Sequence, residues 1–483
     1  MNGDDFNDHA GQTSQIDQGT GSTNNDHPGR TSQPAMNAHE QINHGDLHVK
    51  KDKGMPMKPA PANLICNFRL PNATCGKQYN ASFAVPENNI TITSVDGLEK
   101  TSLLFDTKTD SVVGTPSMSG EIPLKINFKL DDLPGTYTQN YSFIINPDPR
   151  SLWKDIPSDS SAVFWKKDKD SKEIELENGW KIVAASNRGR SHAHDGRCRD
   201  DHFYISTDPS NGWSILAVAD GAGSAAYSRE GARIAVTESA RVLKGKLKEY
   251  DSEITSILMN KDCSDTTEAS DDPDKVKIKN LLYNIFSQAV YEPVKVIHDT
   301  VEQHKRKKEH DNGPLLGKTK FRDFNTTLIA AVHKKIKNAH FIASYWIGDG
   351  GIAVYCEDDF VHILGEGDSG EFAGQTIFLD HNAINKDDIY NRIKFDWQKS
   401  ITALILMTDG ITDPCFETDH QLNQVENWDH LWKNEIKTRL SHKPDVTSDN
   451  LLGWLDFWSQ GNHDDRTLAM MFKHDGNTPK SKS

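Results

Sequence analysis

Cysteine is scarce, six in 483 residues, and none of the six stands in a C-x-x-C pair. That spacing excludes a zinc cage of the usual kind, and it leaves too few regular pairs for a disulfide framework. Long apolar runs are missing too. No stretch approaches the roughly 18 residues of a membrane span, and Asp4 and Asp5 stand where a secretory signal would start basic. A soluble cytoplasmic protein is the expectation. Positive charge is in deficit: 55 Lys and Arg face 70 Asp and Glu, a net charge of -15. A surface built to hold nucleic acid needs clustered cations, so that function is set aside. The run His304 to Lys308 has no interleaved aromatic residues and reads as a solvated face.

Large apolar residues are nearly absent from residues 1–60, which are rich in Gly, Asn, Gln, Ser, Asp and His. Such a segment cannot bury enough surface to offset the entropy of ordering, so a disordered polar tail is expected. Residues 62–147 carry short alternating runs such as Ile90-Thr91-Ile92-Thr93 and Ile122 to Phe128, separated by turn residues. That pattern indicates a small antiparallel sandwich, and Gly114 to Glu121 with the strand after it resembles bacterial immunoglobulin-like or cadherin-like repeats. Residues 148–174 are polar and read as a linker. Residues 175–475 alternate buried-type strands with helical stretches, the mark of a layered α and β domain, and 476–483 form a second polar tail. Within this domain, residues 231–247 have the helical period, residues 261–277 read as a surface loop, and Trp428, Trp432, Trp454 and Trp458 read as core contacts.

Three apolar strands in the domain run straight into Asp-Gly: Ile215 to Asp220-Gly221, Ala343 to Asp349-Gly350, and Leu404 to Asp409-Gly410. One such ending is an ordinary turn. Three are harder to dismiss. Two more acidic pairs precede strands, Asp200-Asp201 before Phe203 and Asp464-Asp465 before Thr467. Brought to one edge, such carboxylates would repel by roughly 4 kcal/mol per pair at about 4 Å and an effective dielectric of 20, so cations must accompany them. Ligands that are all oxygen suit Mg²⁺ or Mn²⁺ better than Zn²⁺.

The ordered series Ser191-His192 with Gly196, Asp200-Asp201, Asp220-Gly221-Ala222-Gly223, Asn325-Thr326-Thr327, Gly348-Asp349-Gly350, Thr408-Asp409-Gly410 and Asp464-Asp465-Arg466-Thr467 resembles the motif series of the bacterial protein phosphatase 2C (PPM) family. The resemblance implies an α+β fold with four layers, α-β-β-α, in which two antiparallel sheets are flanked by helices, here preceded by the small all-β sandwich. It implies two divalent cations, Mn or Mg, with Asp220 bridging both, the Gly221 carbonyl completing the first site, and Asp409 and Asp464 on the second. Asp200 would take the position of a longer acid, with Asp201 after it, in a register that a shift of one would exchange. Asp349 matches a residue that holds a third, weaker cation in some members, and a plain turn is the alternative. For the substrate phosphate the positions nearest the family's Arg are Arg197 and His192; His192 reads equally as a general acid or a structural histidine. Residues 411–461 correspond to the family's variable flap. The function so implied is metal-dependent hydrolysis of phosphoserine and phosphothreonine in proteins by an activated water, in bacterial signalling and beside a cognate kinase. A silent phosphoprotein-binding scaffold of the same fold is the competing reading.

Overall fold

The computed structural model describes residues 47–50, 66–85, 89–260, 272–308, 319–365, 367–368, 376–416, 418–440 and 447–474. The chain divides into two compact units, Met1–Asp148 and Pro149–Ser483.

The first unit is a small all-β sandwich. Its strands are β1 (Leu47–Lys50), β2 (Ala73–Thr74), β3 (Tyr79–Ser82), β4 (Ile90–Asp96), β5 (Leu103–Asp106), β6 (Ser111–Gly114), β7 (Gly120–Leu130) and β8 (Leu133–Asn146). One sheet has the order β1-β8-β7-β4 with β2 beside β8, and the other has the order β3-β6-β5. Alternation along β7 turns Ile122, Leu124, Ile126 and Phe128 inward and Glu121, Lys125 and Lys129 outward. The inward set meets Phe68, Phe83, Tyr141 and Phe143 in one core. Strand β1 falls inside the segment expected to be a polar tail; the rest of residues 1–60, and the second tail at 476–483, lie outside the described residues.

The second unit has four layers. Strands β9 (Lys169–Glu175), β10 (Trp180–Asn187), β15 (Gly351–Cys356), β16 (Phe360–Gly365), β18 (Ala403–Met407) and β19 (Arg466–Lys473) form a six-stranded sheet in the order β16-β15-β18-β19-β10-β9. Strands β11 (His202–Asp208), β12 (Trp213–Ala219), β13 (Leu328–Ile336), β14 (Ala339–Ile347) and β17 (Ile393–Gln398) form a five-stranded sheet in that order. The long helices α2 (Ser228–Met259) and α3 (Pro273–Lys308) cover the outer face of the five-stranded sheet. The short helices α5 (Asp409–Cys415), α6 (Asp419–Leu422), α7 (Val425–His430), α8 (Lys437–Leu440) and α9 (Thr447–Trp454), with a π-helical turn at Leu431–Ile436, cover the six-stranded one. Two further helices, α1 (Arg190–Asp195) and α4 (Lys386–Asn391), sit in connections.

Strand β12 shows why its residues read as one unbroken apolar run. Ile215, Ala217 and Ala219 face the helices, while Leu216 and Val218 face the other sheet, so both sides are buried. No described helix is long and apolar enough to cross a membrane.

Three sequence expectations need correction. Residues 149–168 do not form a loose linker: they are gripped by the second unit, and β9, also assigned to the linker, pairs along β10. The expected loop at 261–277 gives way to α3 from Pro273 onward, and residues 261–271 lie outside the described set. Trp428, Trp432 and Trp454 are buried, but Trp458 is not a core residue; it carries the guanidinium groups of Arg150 and Arg190 on its ring at 5.5 and 5.3 Å.

Candidate metal centre

The strand ends that carry acidic residues meet at one rim of the two sheets. Asp220 follows β12, and the Asn325-Thr326-Thr327 segment holds it there. Thr327 N and Thr326 Oγ1 both donate to the Asp220 carbonyl, at 2.8 and 2.7 Å, and Asp220 N donates to Thr327 Oγ1 at 2.9 Å. Asp349 follows β14 across Gly348, whose φ of +116° and 2.4 Å clearance to Thr327 leave no place for a side chain. Asp409 opens α5 after β18, and the next residue, Gly410, lies so close to Asp465 that a Cβ would sit 1.8 Å from its carbonyl oxygen.

One carboxylate oxygen from each of Asp220, Asp349 and Asp409 lies within 4.8 Å of the other two. Asp201, fully buried, faces the same group, its Oδ2 accepting from Thr408 Oγ1 at 2.8 Å. Asp464 stands at the solvent edge and belongs with Asp465 and His192 in an adjoining group. Burial and then the charges of Asp409, Asp201 and Asp464 push the Asp220 carboxyl well above the usual carboxylate range. Asp409 is pushed up likewise, by burial and by Asp464, Asp349 and Asp201, and Asp201 rises to about 7. These are groups short of a positive partner.

The donor set fits divalent cations. Asp201 Oδ1, Asp349 Oδ1 and Asp409 Oδ1 are buried without any hydrogen-bond partner, a costly arrangement for oxygens that an ion would satisfy. All three come from the cluster itself. Gly221, whose backbone bridges to Thr326, is hemmed in by Ser228 and the Asp200 carbonyl, with Cβ clearances of 2.9 to 3.0 Å.

Not every expected ligand faces this cluster. Asp200 turns the other way, its Oδ2 lying 3.5 Å from Arg197 Nη2 and 3.6 Å from His192 Nε2, with Arg229 4.0 Å from Oδ1. Of the acidic pair, Asp201 is the member beside Asp220. Arg197 is about half exposed at the mouth and also donates to the Gly223 carbonyl at 3.2 Å. His192, buried on α1, is held between two carboxylates, with Nδ1 donating to Asp465 Oδ1 at 3.0 Å. Burial alone would lower its pKa, but Asp465, by charge and hydrogen bond, with Asp200 and Asp464, raises it to about 9.

Asp465 stands in the motif series without a role of its own. It accepts from Gly189 N at 2.6 Å and from His192 on one oxygen, and from Asp200 N and Asp201 N on the other. Burial would raise its pKa, yet those donors hold it well below the usual range. It thereby fixes the loop that presents Asp201. Lys166 was missed as well: its ammonium donates to the carbonyls of Asp200 and Asp201 at 3.2 and 2.8 Å. The signal for Asp465 was its place in the Asp-Asp-Arg-Thr motif; Lys166 lay in a segment read as linker and gave none.

A four-layer α-β-β-α sandwich with carboxylates clustered at one sheet rim defines a class of cation-binding protein with oxygen ligands. Within that class the chain belongs to the protein phosphatase 2C family, whose model matches residues 188–456. No curated protein matches the chain. Among solved structures it is similar to a serine-threonine phosphatase 2C from Toxoplasma gondii, at 12% identity over 63% of this chain and 99% of that one, with a TM-score of 0.36. It is also similar to the serine/threonine phosphatase Stp1 from Staphylococcus aureus, at 12% identity over 65% and 98%, with a TM-score of 0.30. A third similarity is to RsbX in complex with magnesium, at 14% identity over 63% and 99%, with a TM-score of 0.30.

Proposed function

We propose that the chain is a divalent-cation-dependent phosphatase that removes phosphate from serine and threonine residues of proteins. The observation that carries this reading is the convergence of Asp220, Asp349 and Asp409, with buried, unpartnered oxygens on Asp201, Asp349 and Asp409, at a rim open to solvent beside Asp464.

In this reading Asp220, Asp409 and Asp464 would hold two cations, Mg²⁺ or Mn²⁺, with the Gly221 carbonyl, and Asp349 and Asp201 would extend the set. Bound there, the cations would supply a water deprotonated near neutral pH and would offset charge on the phosphoryl oxygens. The chain does the rest. Thr408 orients Asp201, and Thr326 and Thr327 fix the backbone under Asp220. Arg197 offers a planar, half-exposed guanidinium that suits two phosphate oxygens at once. His192 acts as a positioning residue: both ring nitrogens face carboxylates, which leaves it poorly placed to pass a proton to a leaving group. Asp200 anchors Arg197 and is not a cation ligand. The reading carries with it a phosphoprotein substrate and a cognate kinase in a bacterial cytoplasm.

Hydrolysis of a chromogenic phosphomonoester and of a phosphothreonine peptide is expected with Mn²⁺ and is lost in EDTA; activity indifferent to chelation would overturn the proposal. Arg197→Ala should raise KM more than it lowers kcat if the guanidinium grips ground-state phosphate, which initial rates against substrate concentration will show.

A further inference from the structure

Beside the metal centre lies an open cavity of about 690 Å³, within the size range of ligand-binding clefts. One wall is the strap of residues 150–169; the other is formed by Asn187, Arg188, Arg190 and Ala193, with Asp456. It adjoins the catalytic rim. Trp153 on the strap packs at 4.3 Å on the ring of His463, the neighbour of Asp464, and Ala193 follows His192 on α1.

The charges around this cavity do not balance. Three carboxylates line it, and each is already matched: Arg188 pairs with Asp155 at 3.0 Å and with Asp168 at 3.3 Å, and Arg190 pairs with Asp456 at 3.0 Å. Lys154, Lys167 and Lys169 remain, all exposed, and none has a carboxylate partner among the described residues. In a chain of net charge -15, three unmatched ammonium groups around one cleft form a local positive field. Trp153 and Trp165 add flat apolar surface between them. The strap, with all three lysines, precedes residue 188, where the family match begins, whereas Arg188, Arg190, Ala193 and Asp456 on the other wall fall within it.

We infer that this cleft is a docking site for an acidic peptide segment, the aspartate- and glutamate-rich flank of the phosphorylated residue in a protein substrate. The inference rests on the phosphatase reading above. The lysines recruit the flank, the tryptophans contact its backbone, and the phosphorylated residue reaches the rim past His463.

The test compares two phosphothreonine peptides that differ only in having acidic or neutral flanks. The parent protein is expected to favour the acidic peptide in kcat/KM, and the preference should shrink as salt rises from about 50 to 500 mM, because exposed pairs are screened. A variant carrying K154Q, K167Q and K169Q together should lower the acidic-to-neutral ratio roughly tenfold, three partly exposed pairs each contributing a factor of about two. A second arm needs no catalysis: a fluorescent, unphosphorylated acidic peptide should bind the parent in EDTA, by anisotropy, and bind the triple variant weakly, with a thermal melt verifying that the variant is folded. A parent ratio near one, or a triple variant that keeps both the ratio and the peptide affinity, overturns the docking site. Absence of Mn²⁺-dependent hydrolysis of either peptide would overturn the phosphatase reading instead, and the anisotropy arm would still decide the cleft.

Discussion

At the scale of single residues the site is a problem in charge. Asp220, Asp349 and Asp409 crowd together, and each loses stability from the others until a cation intervenes. Asp409→Asn should therefore have opposite effects on two measurements. Hydrolysis should fall by at least about 100-fold, since even groups one step removed from a metal cost 10- to 100-fold. The melting temperature in EDTA should rise, because a repelling charge is gone; a large fall would show that the carboxylate is needed for folding. A second prediction lies away from the rim. His333 and His340 pair side to side across β13 and β14 at 2.9 Å, and burial lowers their pKa values to about 3 and 4. The unfolded chain takes up these protons near pH 6.5, whereas the folded chain resists them. Below about pH 6.5 the unfolded state thus binds more protons, and stability should fall steadily as pH drops towards 4. Replacing both histidines by valine should flatten that part of a melting-temperature profile, since removing both partners of a buried pair costs little.

At the scale of elements, strand ends were legible and the strap was not. Asp220, Asp349 and Asp409 were readable because strands buried on both faces are continuous apolar runs, so the acid after each stands out. Asp201 against Asp200 was not decidable: neighbours on an extended segment point to opposite sides, and a register error of one residue exchanges them. The strap escaped notice because its composition is polar and its contacts are long-range. Arg229 donates to the carbonyls of Val163 and Phe164, Arg188 to that of Ile156, and Lys166 to those of Asp200 and Asp201. Such bonds use donors from one side chain and acceptors from any backbone, so no motif marks them. Lys166→Met, which keeps the length of the stem, should reduce kcat about tenfold with little change in KM or in the melting temperature with Mn²⁺. The loop carrying Asp201 would lose its support while the phosphate contacts remain. Equal losses in kcat and stability would assign Lys166 a merely structural part.

For the whole molecule the useful boundary is where the strap begins. Residues 149–168 hold the second unit together from outside its family match, and β9 closes the edge of its six-stranded sheet. A fragment spanning 149–474 is expected to fold and to keep hydrolysis of a small phosphomonoester within about threefold of the full chain. One that starts at 175 should melt lower and lose most activity, having lost β9, Lys166 and the grip on Arg188 and Arg229. Circular dichroism melts and Mn²⁺-dependent rates on the two fragments will decide it.

Strand β19 lies inside its sheet, between β18 and β10, and pairs residue by residue with β10 from Trp180–Lys473 to Asn187–Arg466. Two strands from opposite ends of the second unit are thus neighbours, separated by nearly the whole unit in sequence, and such pairings form late and slowly. Asp464 and Asp465 immediately precede that strand. On the ribosome, therefore, the partly made domain must wait with its central gap open, exposed to chaperones or to mispairing. The acidic rim gains Asp464 and Asp465 only when that strand arrives, so the candidate site stays incomplete until the whole of the second unit has been made.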